Sequence, residues 1–405
     1  MAKRQFSVSD TDPWADRYTD GSAGAKTYSS NHQMDSSDGA YYSRIGGTAG
    51  NKTANTPDLA DGTYNLPCKI INEEVQTDTF PNWEFNFITS VSGGVATLRY
   101  ALTFSPDYTG TPSRKSQIIT GKPYASVVIN NGVTINPPAW DGNKGGRLLW
   151  FARDSWTNHG TLQLTGYGFR GGNGVGADNV GFTGEGTVGN SVQTYNVNGN
   201  GAGGGGYSNN GPWDQGNGGG GGSNVTAGQN GITTGGGNNS NGGGGAAGNI
   251  ISTADGILNV MGGAGGGGGN KGGSGNSGNG GNGSGCVTVV SRIINSASDG
   301  AILLNGNSGQ GNVNYHCGAG GSGAGGMGVF KGQQVTLLGN LQALGPGRVY
   351  RNGSSSGDED GGYAGNGAFA SYYGRTNNVS TNPSSTPVLD TILNDSGGAF
   401  EFLIA

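Results

Sequence analysis

The sequence predicts an all-β protein: a β-sandwich-like N-terminal part, then a glycine-rich polyglycine-II helix bundle interleaved with short strands. Three observations predict it. No segment repeats its apolar residues at the helical period over three turns. Short β-branched and aromatic runs separated by Gly, Pro, Asn and Asp fill residues 61–165. From residue 166 glycine takes over, and the chain holds 89 glycines in 405 residues, against a usual share of roughly 7%.

Residues 1–60 are rich in Ser, Asp, Gly, Thr and Tyr and nearly lack Leu, Ile and Val. They are expected to form an extended polar docking arm that gains order on a partner. Residues 61–165 form a β-rich attachment domain, with strand candidates YNLPCKIINEEV, WEFNFITSV, GVATLRYALTF, SQIIT, ASVVINNGVTI and GRLLWFARD. Residues 166–370 form a glycine-rich domain with short strands, and 371–405 a C-terminal segment. One pattern recurs there. GTLQLTGYG at 160–168 matches GNLQALGPG at 339–347, with looser copies GILNVMGGAG at 256–265 and GAILLNGNSG at 300–309. Their spacings are unequal, so the unit (strand, turn, glycine-rich rod) is reused without a fixed period.

A glycine run can be a linker or a structure. Ordering glycine costs more backbone entropy than ordering any other residue, and an extended threefold rod makes no internal hydrogen bonds. Rods lying side by side solve this by bonding to one another, if glycine occupies the inward face, every third position. In GGAGGGGGNKGGSGNSGNGGNGSG (262–285), positions 263, 266, 269, 272, 275, 278 and 281 are all glycine. The next phase carries Asn270, Asn276, Asn279 and Asn282, expected on a solvent-facing or loop-facing edge. The runs at 201–206, 216–222, 242–245 and 318–326 are candidate neighbours.

Composition narrows the function. Charged residues make up 12% and the net charge is −5, so no nucleic-acid partner is expected. No apolar run is long enough to cross a membrane as a helix, and the start, MAKRQFSVSDTDPW, lacks the apolar centre of a signal peptide. Cys68, Cys286 and Cys317 imply no disulfide framework. Cys286 and Cys317 could pair, but free buried thiols are expected. His32, His159 and His316 lie in no catalytic or metal-binding signature and are expected to be structural. The acidic groups Asp358, Glu359 and Asp360, and Asp10, Asp12 and Asp16, do not fit a calcium loop and read as surface turns. The glycine spacing in GFRGGNGVG (168–176) is expected by chance at this glycine content, and Glu73 and Glu74, adjacent on a strand, point to opposite faces. No cofactor, no metal and no enzymatic activity are expected.

Glycine rods joined by loops carrying Tyr, Trp, Asn and Ser resemble the tip adhesins of long tail fibres of T-even-type phages. The strand–glycine units GRLLWFARD…GTLQLTGYGFRGG and GMGVFKGQQVTLLGNLQALGPG also resemble glycine-rich phage-encoded proteins found on bacterial surfaces. The resemblance implies a virion tail or fibre adhesin, made in the host cytoplasm and released by lysis. Its partners would be other virion proteins, held through residues 1–60 and the β-rich domain in a multi-subunit assembly. It would bind a bacterial surface protein or glycan through loops on the rod scaffold. The residues expected at that receptor surface are Tyr207, Asn209, Asn210, Trp213, Asn238, Asn239, Tyr315, Tyr363, Tyr372 and Tyr373. The alternatives are a purely structural decoration or connector protein of head, collar or tail, an ice-binding protein, and a carbohydrate depolymerase, for which the sequence offers no paired acids.

Overall fold

The computed structural model describes residues 20–74, 83–109, 115–174, 181–186, 203, 218–224, 226, 228–231, 277–311, 318–347, 362–379 and 388–389. Their strands are β1 (Ala25–Tyr28), β2 (His32–Gln33), β3 (Tyr42–Arg44), β4 (Gly46–Gly47), β5 (Thr53–Asn55), β6 (Gly62–Glu74), β7 (Trp83–Ser92), β8 (Val95–Leu98), β9 (Lys115–Thr120), β10 (Pro123–Ile129), β11 (Thr134–Asn136), β12 (Arg147–Asn158), β13 (Thr161–Gln163), β14 (Cys286–Ser296), β15 (Ala301–Leu303), β16 (Met327–Leu337), β17 (Asn340–Gln342), β18 (Ala368–Val379) and β19 (Val388–Leu389). The protein is all-β.

The strands form three sheets. A long-strand sheet runs β1-β10-β12-β14-β16-β18-β19 and a short-strand sheet β17-β15-β13-β11-β2, with every pair in both parallel. An antiparallel sheet runs β3-β9-β6-β7-β8-β5-β4. Side-chain alternation along β12 stacks them with the long-strand sheet in the middle. Leu148, Trp150 and Ala152 join the core shared with Leu162, Ile302 and Leu341 of the short strands. Leu149 and Phe151 face the other way, onto Trp83, Phe85 and Ile119 of the antiparallel sheet. Trp156, an even number of residues beyond Trp150, lies in the first core too, with 5.8 Å between the two ring centroids, although the pairing with β14 shifts between Ala152 and Ser155.

The recurring sequence unit is one rung of the short-strand sheet. Leu162 pairs with Ile302, and Ile302 with Leu341, and all three are fully buried. The unequal spacing between copies is absorbed by their connections; the copy at 256–265 lies outside the described residues.

After β13, β15 and β17 the chain leaves as a glycine-rich rod, and rods at 277–285, 318–326 and 362–367 lead into the long strands β14, β16 and β18. The rods bond to each other with a three-residue repeat. In the rod 277–285, Gly278, Gly281 and Ser284 donate their amides to Gly318, Gly321 and Ala324 of a second rod. Gly280 and Gly283 donate to Gly172 and Phe169 of a third. The carbonyls of Asn279 and Asn282 accept from Gln310 and Asn307 of a fourth. Three phases thus address three neighbours. Glycine is required where backbones meet: a Cβ on Gly281 would lie 2.0 Å from the Asn307 carbonyl oxygen. Positions 263 to 275 of that phase lie outside the described residues.

Two expected boundaries differ from the structure. Residues 20–60, read as the larger part of a free arm, belong to the fold: β1 pairs with β10, β2 with β11, and β3, β4 and β5 lie in the antiparallel sheet. Ladder pairing uses main-chain groups and so leaves little trace in a polar sequence; among the larger apolar side chains Tyr28, Met34, Ile45 and Leu59 mark it with burial. The boundary at 370/371 falls inside β18.

Charges are sealed between the long-strand and antiparallel sheets. Arg147 donates to both carboxylate oxygens of Glu73, Gln117 Nε2 donates to the same carboxylate, and Arg147 Nη1 lies 2.8 Å from the Cys286 thiol. Nearby, the ammonium groups of Lys69 and Lys331 sit 4.8 and 5.1 Å from the centroid of the Trp83 ring. Burial, aided by the Arg147 charge, lowers the Lys69 pKa to about 7. Burial also holds Lys331 well below the ordinary lysine range.

Two outcomes are expected. Gly281→Ala should destabilise by about 1–3 kcal/mol in denaturant unfolding. Gly62→Ala, whose added Cβ would meet nothing closer than 3.8 Å, should change little. A lysine with a lowered folded pKa is neutral when folded and charged when unfolded between the two values, so stability rises with pH there. The melting temperature should therefore rise from pH 7 to about 9, with Lys69 contributing at most about 1.4 kcal/mol per pH unit. Above that, Cys286, raised by burial to about 11, and Cys68, also raised by burial, oppose the trend. Lys69→Met should flatten the rise.

Candidate functional site

The rod pairing fixes where the connecting segments leave the scaffold. Gly174 lies against Ser277 and Gly278 against Gln310. Gly278 also donates its amide to Gly318, Gly219 donates to Ala319, and Gly362 to Gly219. The Gly231 backbone closes on Gly218, and the Gly347 carbonyl accepts from the Ser322 hydroxyl. The ends of the rods at 174, 218, 231, 277, 311, 318, 347 and 362 are therefore gathered at the end of the bundle farthest from the strands. Connections 175–180, 232–276, 312–317 and 348–361 begin and finish there, and 204–217 finishes there.

Of the expected receptor residues, Tyr363 is described with its side chain. It stands at the start of the returning rod 362–367, 37% exposed, beside Gly347. Tyr207, Asn209, Asn210, Trp213, Asn238, Asn239 and Tyr315 lie outside the described residues. Tyr372 and Tyr373 stand elsewhere, in β18, their backbones paired with Lys331 and Gly332.

A polar groove of about 520 Å³ opens on the flank of the rods near this end. Its walls come from the outgoing rod 170–173, the strip 182–185, the rod 279–282 and residues 307–310. Glu185 is its anchor. The carboxylate accepts from Trp140 Nε1 at 2.9 Å, from the Arg170 backbone amide at 3.0 Å, and from Arg170 Nε and Nη2, with Lys115 Nζ at 3.5 Å. Burial raises its pKa, but the Arg170 hydrogen bonds and the Lys115 charge outweigh that and hold it below the usual carboxylate range. Arg170 is thereby fixed with half its side chain exposed at the groove. Asn279 and Asn282 accept the backbone amides of Gly174 and Gly171 at 2.7 and 2.9 Å through Oδ1. A backbone N–H can bond only the oxygen end of an amide, so each asparagine presents its NH₂ donor to the groove.

The asparagine phase of the rod was expected on a solvent-facing or loop-facing edge; Asn279 is exposed and Asn282 half-buried, and both bond amides of the neighbouring rod. Arg170 and Glu185 were not. Arg170 stood in a glycine spacing expected by chance, and nothing in GFTGEGTVG marks Glu185 as its partner. Among the other residues weighed, His32 bonds the buried Asp38, and His159 Nδ1 lies 2.9 Å from Asp299. Cys68 and Cys286 are free and buried. His316, Cys317 and both acidic groups lie outside the described residues. His32, Asp35 and Asp38 could together face a metal ion. However, Asp38 already accepts from Tyr28 Oη and Lys26 Nζ, each at 3.0 Å, which satisfies it without one.

No family model matches the chain, and no curated protein matches it. Among solved structures, the tailspike protein gp49 from Pseudomonas phage LKA1 is similar, with 12% identity, a TM-score of 0.18 and 84% of this chain covered. The match spans 62% of that protein's length. The similarity found is thus to a phage tail protein. The expectation of no enzymatic activity, which rested on the lack of a sequence signature alone, is withdrawn.

Glu185→Gln tests the anchor. A carboxylate with a lowered folded pKa stabilises the fold above its unfolded value, near pH 4.3, and that contribution fades as pH falls through the folded value. The variant should lose about 1–3 kcal/mol at pH 7, and the loss should shrink by pH 3.5 when both proteins are unfolded in urea.

Proposed function

We propose that the protein is a phage tail or fibre adhesin, carried on the virion, that binds a bacterial surface receptor through segments displayed at the distal end of its rods. The observation that carries this reading is the gathering of rod ends. A scaffold whose backbone groups bond among themselves can hold many connections in one place without depending on their sequences. Those connections hold the Tyr, Trp and Asn residues named above, side chains that give large contact area or adaptable hydrogen bonding at low entropic cost. On this reading polyglycine-II-type packing supplies the rigid support. The strand-rich end is left to dock on other virion proteins in a multi-subunit assembly.

The test is competition. Purified full-length protein should coat host cells and block adsorption of the phage that encodes it. Trp213→Ala and Tyr363→Ala should weaken that block about tenfold or more, at unchanged melting temperature. A protein that neither binds cells nor blocks adsorption would refute the receptor role and favour a purely structural virion component.

A further inference from the structure

The flank groove differs in chemistry from an apolar ligand pocket. Its described walls offer the Asn279 and Asn282 NH₂ groups, the amide groups of Asn173 and Gln310, and the Arg170 guanidinium. The one carboxylate on its wall, Glu185, is buried and saturated by its own partners. Glu185 is flanked by two cations, Arg170 and Lys115. Phe182, half-buried in the wall, supplies one apolar surface. A groove rich in donors, with one fixed guanidinium and a single aromatic, suits a hydroxylated ligand that carries carboxylate groups. Its volume lies within the usual range for small-molecule sites.

We infer that this groove binds a short acidic oligosaccharide, with a sugar carboxylate on Arg170 and ring oxygens and hydroxyls on the Asn279, Asn282 and Gln310 amides. A guanidinium held by a buried carboxylate keeps its orientation before the ligand arrives, which lowers the ordering cost of binding, and charge-assisted bonds to a carboxylate are the stronger kind. The inference gives a ligand class to the receptor-binding reading and rests on that reading only for its biological setting.

Calorimetric titration of the full-length protein with a galacturonic acid trisaccharide, and with the neutral galactose trisaccharide as comparison, tests it. The acidic sugar should bind at least about tenfold more tightly, and its affinity should fall as salt is raised. Arg170→Met should weaken binding about tenfold or more. Because that change also removes a partner of Glu185, Asn279→Asp provides a second variant: it keeps the Oδ1 acceptor for Gly174, replaces a donor by a negative charge, and should weaken the acidic sugar more than the neutral one. Equal affinity for both sugars, no binding of either, or binding unchanged in both variants would overturn the inference. Cell adsorption separates the two claims. Wild-type protein that adsorbs to cells without binding the acidic sugar removes the ligand class and leaves the receptor role. Protein that binds the sugar in the groove but does not adsorb does the reverse.

Discussion

The structure depends on main-chain hydrogen bonding between rods that have almost no side chains. Fixing one residue's backbone costs about 1–2 kcal/mol, while a hydrogen bond returns a net of about 0.5–1.5 kcal/mol. In the rod 277–285 six amides donate to other rods or to the base of the core: those of Gly278, Gly280, Gly281, Gly283, Ser284 and Gly285. At that cost the nine ordered residues outweigh what six such bonds return, so the bonding alone does not order the rod. The rods are therefore held by what they continue into. The rods 277–285, 318–326 and 362–367 run directly into β14, β16 and β18, strands packed in or beside the core around Trp150, Trp156 and Phe330, so the strands set the spacing and phase of those rods.

That division explains the composition. Apolar residues are concentrated where two sheets face each other, and the rods carry glycine because backbones at hydrogen-bonding distance leave no room for a Cβ. Ser284 occupies the glycine phase just before β14. It is tolerated because its hydroxyl, fully buried, donates to the Leu164 carbonyl at 3.0 Å. The register thus ends in a side chain that finds a partner, at the place where rod becomes strand.

Much of this was legible in the sequence. The all-β class followed from the strand runs, and the recurring Gly–x–Leu–Gln unit marked the rungs that stack as Leu162, Ile302 and Leu341. The phase of Gly278 and Gly281 marked the rod contacts. What was hidden was pairing by main chain alone, as in β1 to β5, where polar residues take part in ladders that side-chain patterns do not report. Pairing across long sequence separations was hidden too. Arg147 meets Glu73, and Arg170 meets Glu185, only because strands and rods distant in the chain lie side by side; no spacing rule predicts either contact. The candidate groove inherits that limit, since its walls come from four separate stretches of chain.

Amide hydrogen exchange tests the central claim most directly. If the rods are bonded as described, the amides of Gly278, Gly281 and Gly283 exchange slowly, within the range set by the β14 amides of Val287 and Val289, because opening a rod means pulling it from its neighbours. Exchange of those three glycines at the rate of an unstructured chain, while β14 stays protected, would contradict the account and reduce the rods to tethers between strands.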